Sequence, residues 1–338
     1  MTATPAETTL GRGERAGWVD GARGLGIVLV VIGHAIGGLQ SARIVSPDSG
    51  YGLAFQLIYS FHMPLFFLLS GLFAERFTRG ARYGHLGKTM RRLGYPYLLW
   101  SLTTIAVIMS AGSAVNAPIV PGLWPFIEIA WWPTSQLWFL YALMVLQLLY
   151  IVAARSVGLL GLFALLAALR LVPELVDLPD VINLTLTYGV FFAIGALASK
   201  PLFTFAAGHT KKGLLALAAA SFAVWAVLTF GALEAGSFHL DLMMVPASLA
   251  GTFATLCLAM SLPRPIEPLA RYLGTISMPI YLVHVLFVAG TRIVLSRLLG
   301  IHDPALLLPM LVASGLIGPM LLWKASRRLG CDRLLGFA

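Results

Sequence analysis

The chain has 338 residues, of which 59% are hydrophobic and 11% charged, with a net charge of +9. A soluble domain carries roughly 25% charged residues, so this composition excludes a soluble globule and, by its hydrophobicity, a disordered chain. Two cysteines, Cys257 and Cys331, exclude a disulfide scaffold and a cysteine-rich metal site, which leaves a polytopic membrane protein.

A membrane-spanning helix needs roughly 20 mostly apolar residues, because the bilayer core is about 30 Å thick and each residue rises about 1.5 Å. Ten runs meet this need, near 24–41, 53–74, 95–113, 137–154, 157–172, 183–199, 213–233, 242–262, 276–297 and 304–323. They predict an all-α, polytopic transmembrane helical bundle of about ten spans. No internal repeat or long polar linker interrupts it, so one membrane domain is expected over 19–324, between tails at 1–18 and 325–338. The N-terminal stretch reads as a tail rather than a signal peptide, since no small-x-small site follows the first apolar run. An even span count puts both termini on one side. Every basic residue except Arg43, Arg170, Arg292 and Arg297 falls on that side. The positive-inside rule then places both termini in the cytoplasm, and the +9 marks orientation rather than nucleic-acid binding.

Ionisable groups within spans are expensive, so each is a candidate for function. In the first span Arg23 precedes His34 by eleven residues. On a continuous helix that is about 1100°, so the two share a face about 16 Å apart. The spacing suits a long ligand with a phosphate end and a reactive end, such as an acyl-CoA. His34 reads otherwise as an inter-helix packing bond. In the second span His62 precedes Pro64, which frees a carbonyl that needs a polar environment or a cavity lining. His62 also reads as an interfacial residue. Ser70–Gly71 is a small-residue packing face or part of a cavity wall.

The segment from Glu75 to Tyr95 is the most basic and is expected to be a loop, with Arg76, Arg79, Arg82, His85, Lys88, Arg91 and Arg92. Lys88 and Arg92 share a face wherever it is helical. It serves topology alone, or it clamps the phosphates of a nucleotide-bearing donor. The fourth span places Gln136, Trp138 and Tyr141 at its outer end, after Trp124, Trp131 and Trp132. These aromatics form an interfacial belt or a stacking surface for a sugar. The ninth span carries Ser277, Tyr281 and His284 as one polar stripe, either a cavity lining or a seam between helices. No G-x-S-x-G elbow, Walker A loop or H-E-x-x-H zinc pair is present, and no metal site is expected. No acidic residue sits mid-span, which counts against an ion-coupled transporter.

The segments WVDGARGLGIVLVVIGHA, FHMPLFFLLSGLF, RRLGYPYLLW, LWFLYALMV and ISMPIYLVH occur in that order between Trp18 and His284. Together they resemble the acyltransferase-3 family of integral membrane acyltransferases, most closely its fucose 4-O-acetylase-like branch. The resemblance implies a multi-pass protein of the cell (inner) membrane. It implies transfer of an acyl group, often acetyl, from cytoplasmic acyl-CoA to a hydroxyl of a sugar, glycolipid, polysaccharide or small molecule. Acyl-CoA is then a co-substrate and no bound cofactor is expected. The partners are a carbohydrate or lipid-linked acceptor and membrane lipids, with no nucleic acid. The family's basic residue and His in the first span match Arg23 and His34. Where many relatives show Arg-x-x-Arg before the third span, this chain has Lys88-Thr-Met-Arg91 followed by Arg92. On this reading His34 is the general base or a transient acyl carrier. Asp20 orients Arg23, and Arg23 with Lys88, Arg91 and Arg92 holds the donor phosphates. His62, Ser70, Trp138, Tyr141, Ser277, Tyr281 and His284 line the cavity or the acceptor path. No accessory domain is expected. The competing reading is a membrane transporter or channel for an acylated or apolar solute.

Overall fold

The computed structural model of the chain describes residues 17–77, 82–237 and 241–337. Among the basic residues of the sequence reading, Arg12, Arg15 and Arg79 lie outside the described residues. No strand occurs among the described residues, and ten helical segments are long and apolar enough to cross a membrane. They are arranged in two shells. Six segments, Gly17–Ser41, Gly50–Gly71, Ser135–Ala154, Asp180–Gly208, Leu242–Ser261 and Ser277–Leu298, are 50 to 61% buried. The other four, Gly84–Ala114, Ser156–Glu174, Lys211–Glu234 and Pro304–Arg328, are only 17 to 28% buried. Their outward faces are apolar, with Leu98, Val227 and Leu306 among the exposed residues. A helix that leaves apolar residues exposed and keeps its charges near its ends suits a lipid-facing position.

Helix α1 (Gly17–Ser41) is the central strut. Glycine lets a short helix, α11 (Glu267–Thr275), lie against its first turns. A Cβ on Gly24 would stand 1.9 Å from the Ala270 carbonyl oxygen, and one on Gly274 would stand 1.8 Å from that of Asp20. The backbones therefore touch directly.

The second span is two helices, α2 (Gly50–Tyr59) and α3 (His62–Gly71). Pro64 has no N–H to offer the Ser60 carbonyl. That orphan acceptor takes a hydrogen bond from Ser248 Oγ at 2.5 Å, and Ser60 Oγ accepts from Trp225 Nε1 at 2.8 Å. The carbonyl that proline frees is thus satisfied from neighbouring helices, as buried membrane backbone requires.

Three features depart from the sequence reading. The expected basic loop is mostly helix: α4 (Arg82–Thr89) runs through a widened π turn at Met90–Gly94 into α5 (Tyr95–Ala111). The widening falls just before Pro96, whose ring excludes an ordinary bond to the Arg92 carbonyl. The fourth and fifth spans share one helical stretch, α7 (Trp138–Leu169), which breaks at Gly158, where φ is +69°. A left-handed break of this kind favours glycine.

The third departure concerns depth. After α5, Asn116 Nδ2 donates to the Gly38 carbonyl, one turn beyond His34 on α1, at 3.1 Å. The chain passes through α6 (Trp124–Glu128) and then descends into the bundle. The Ile129 carbonyl accepts from the Tyr97 hydroxyl, and the Ala130 carbonyl accepts from the Tyr141 hydroxyl at 3.1 Å. The Gln136 carbonyl accepts from the Tyr281 hydroxyl, while Gln136 Nε2 donates to the Leu282 carbonyl at 3.2 Å. Residues 116–136 therefore run from the level of Gly38 to that of Tyr97, Tyr281 and Leu282. Non-helical backbone at such depth must find donors inside the protein, and three tyrosine hydroxyls supply them. Trp138 and Tyr141 consequently lie inside the bundle rather than at the outer end where an aromatic belt was expected. Trp138 stacks on Tyr188 at 5.6 Å, and Tyr141 meets Tyr97 edge-on at 5.4 Å.

Candidate active site

Helix α1 is unbroken from Gly17 to Ser41, so Arg23 and His34 do project from one face, about 16 Å apart along the axis. Asp20, one turn below Arg23, is buried and accepts from its guanidinium at 3.3 Å. The Arg23 guanidinium also lies over the Phe73 ring, 5.5 Å from its centroid. A carboxylate on one side and a ring face on the other restrict where this cation can point.

At mid-depth α1 meets α12 (Ser277–Ile293), and two histidines face each other. The His34 and His284 rings are 4.9 Å apart in an edge-to-face arrangement. A carbonyl only accepts, so each histidine bonded to one must carry its proton on the bonded nitrogen. His34 Nδ1 donates to the Val30 carbonyl at 2.9 Å. His284 Nδ1 donates to the Tyr281 carbonyl at 2.9 Å and the Ile280 carbonyl at 3.0 Å. Both rings are therefore fixed as the tautomer whose Nε2 holds a lone pair. His284 Nε2 is fully buried and has no hydrogen-bond partner among the described residues. A buried acceptor left open in this way marks a place for a donor to arrive. His62 lies next in line: buried, its Nδ1 donates to the Ile58 carbonyl at 2.8 Å, and its ring meets Tyr59 edge-on at 4.6 Å. Tyr59 in turn stands 6.5 Å from the His34 ring.

Two hollows that share lining residues lie on the side of Arg23 and Arg92. The larger, about 1090 Å³, opens beside α4 and α5 and is lined by His85, Lys88, Arg91, Arg92, Gln147 and Arg333. The smaller, about 350 Å³, runs inward along α1 and is lined by Asp20, Arg23, Ser70, Ser277 and Tyr281, with Val30 and Met63 deeper in. Arg92 and Gly336 line both. Val30, whose carbonyl holds the His34 proton, belongs to the inner cavity, so that cavity ends one turn short of His34.

The fold thus gathers Lys88, Arg91 and Arg92 around one hollow and places Asp20, Arg23, Ser70, Ser277 and Tyr281 around the next. His34, His284 and His62 do not line that second hollow, but Val30, Tyr281 and Met63, which are bonded or adjacent to them, do. Trp138 and Tyr141 do not line either one. Tyr281 has its hydroxyl proton engaged by the Gln136 carbonyl. Sequence reasoning missed Arg333 and the buried pair Thr89–Gln147, whose side-chain oxygens lie 3.5 Å apart at the mouth. Gln147 is a lone polar residue in a leucine-rich run, a weak signal that was available. Arg333 looked like one more topological charge.

A basic hollow and an inner cavity share Arg92 and Gly336 as walls, and the inner cavity reaches Val30, whose carbonyl holds the His34 ring. The acyltransferase-3 family model, an acyltransferase domain, matches residues 16–324, which include every one of these elements except the segment bearing Arg333 and Gly336. The chain belongs to the acyltransferase-3 family. The match is to the family as a whole. No curated protein and no solved structure matches this acyltransferase. As a multi-pass membrane acyltransferase, it holds its matched domain almost wholly within the ten-span bundle.

Proposed function

We propose that this acyltransferase moves an acyl group, chiefly acetyl, from acyl-CoA to a hydroxyl of a sugar, glycolipid or polysaccharide in the cell membrane. The observation that carries the reading is that the basic hollow and the inner cavity share Arg92 and Gly336, and that the inner cavity is lined by Val30, which accepts from His34 Nδ1. The positive-inside bias puts the basic hollow in the cytoplasm, where acyl-CoA is found. Lys88, Arg91 and Arg92 hold the nucleotide phosphates there. Arg23, steered by Asp20, guards the inner cavity through which the pantetheine arm extends toward mid-membrane.

His34 Nε2 then takes the proton of the acceptor hydroxyl as its oxygen attacks the thioester carbonyl. A new C–O bond forms, the C–S bond breaks, and the imidazolium returns the proton to the departing thiolate. The products are the O-acyl ester and free CoA thiol. His284 Nε2 supplies a second buried acceptor beside the first, so an incoming hydroxyl or the imidazolium N–H finds a partner in an otherwise apolar place.

The test is thiol release from acetyl-CoA by membranes containing the full chain, with candidate glycan acceptors added. Release that depends on acceptor and is lost in His34→Ala supports the reading. Normal release in His34→Ala would end it. Solute flux without thiol release would favour the transporter reading instead.

A further inference from the structure

The segment after helix α13 (Pro304–Arg328) was expected to be a plain cytoplasmic tail, yet it is folded tightly against α5. The Tyr95 hydroxyl donates to the Leu334 carbonyl at 2.6 Å, and Trp100 Nε1 donates to the Leu335 carbonyl at 2.9 Å. Phe337 is buried and stacks on Trp100, with ring centroids 5.7 Å apart. Gly336 has φ of +70°, and a Cβ there would stand 2.8 Å from Pro96 Cγ. Two separate constraints therefore require glycine at this point, one conformational and one steric.

The segment also occupies a particular place. Arg333 lines the basic hollow, Phe337 lines the inner cavity, and Gly336 lines both. Among the described residues, only Arg92 shares with Gly336 a place on both hollows.

We propose that residues 331–337 form a strap that completes the donor site, with Arg333 as a further cation for the phosphates of a nucleotide-bearing donor. Gly336 and Phe337 form the wall past which its acyl arm runs inward. This rests on the acyl-CoA reading of the basic hollow. A guanidinium suits a phosphate because its planar fork gives two parallel hydrogen bonds. Arg333 is exposed in a hollow already lined by Lys88, Arg91 and Arg92, so a polyanion is the ligand that this group of cations fits.

The experiment is CoA binding by the full chain in lipid nanodiscs, which needs no acceptor. Arg333→Ala is expected to raise the Kd for CoA about fivefold or more, and Arg333→Lys to recover only part of the loss, because it keeps the charge without the fork. Gly336→Ala displaces the strap and is expected to weaken CoA binding at least as much. Lys88→Ala and Arg92→Ala serve as controls for the hollow itself. If they weaken CoA binding while Arg333→Ala binds as tightly as the unaltered chain, the strap is overturned and the donor reading stands. An unchanged Kd in a well-folded Gly336→Ala overturns the wall assignment. If the unaltered chain does not bind CoA, the donor reading and the strap fall together.

Discussion

The mouth and the histidine pair of this acyltransferase are built on opposite principles. At the mouth, Lys88, Arg91, Arg92 and Arg333 are exposed and share one wide hollow. Exposed charges are well solvated and screened, so each contributes a modest share of the whole. At the pair, two imidazoles sit in apolar surroundings with one nitrogen of each pinned by a backbone carbonyl. Affinity is therefore spread over several residues, whereas reactivity is concentrated in one or two.

Mutations that separate affinity from rate test this contrast. The largest effect is expected for His34→Ala, which removes the base. Acyl transfer should fall about a hundredfold to ten-thousandfold while the Kd for CoA is unchanged. A rate near normal would dissolve the distinction between the two regions. His284→Ala should lower kcat roughly tenfold to a hundredfold, again with donor affinity intact, because one buried acceptor is lost. If it weakened CoA binding instead, the pair would belong to the donor site. Arg92→Ala should raise the Kd for CoA about tenfold and leave kcat at saturating donor nearly unchanged. That loss should shrink as ionic strength rises, and a salt-independent effect would argue for a buried role. The smallest effect is expected for Tyr97→Phe, which strips the hydroxyl from the Ile129 carbonyl. Stability should drop by about 1 kcal/mol, read as a lower thermal midpoint in detergent, with CoA binding retained.

The ten spans were legible because bilayer thickness imposes a length and a composition that few other structures share. The shared face of Arg23 and His34 was legible for a similar reason: it depends only on helical periodicity within one unbroken element. The stripe of Ser277, Tyr281 and His284 was equally legible as a stripe, since all three lie on α12. What that stripe faces was not. Two of its members line the cavity, and the third meets His34 across a helix boundary. The depth of Trp138 and Tyr141 was misread because hydropathy locates an apolar run along the chain and says nothing about where a connecting loop travels. The course of residues 116–136 depends on Tyr97, Tyr141 and Tyr281, which belong to three different helices.

By itself the sequence determined that this is a ten-span membrane protein with its basic residues gathered toward one side and a histidine within the first helix. Those properties are local or compositional, so the solvent enforces them on the chain segment by segment. Only the tertiary structure decided that a second histidine leaves an open acceptor beside the first. It also decided that the segment after the last span forms a wall between two hollows. Both depend on contacts between residues far apart in the chain, 250 positions in the one case and more than 230 in the other. Such contacts exist only once packing has chosen which helix faces meet.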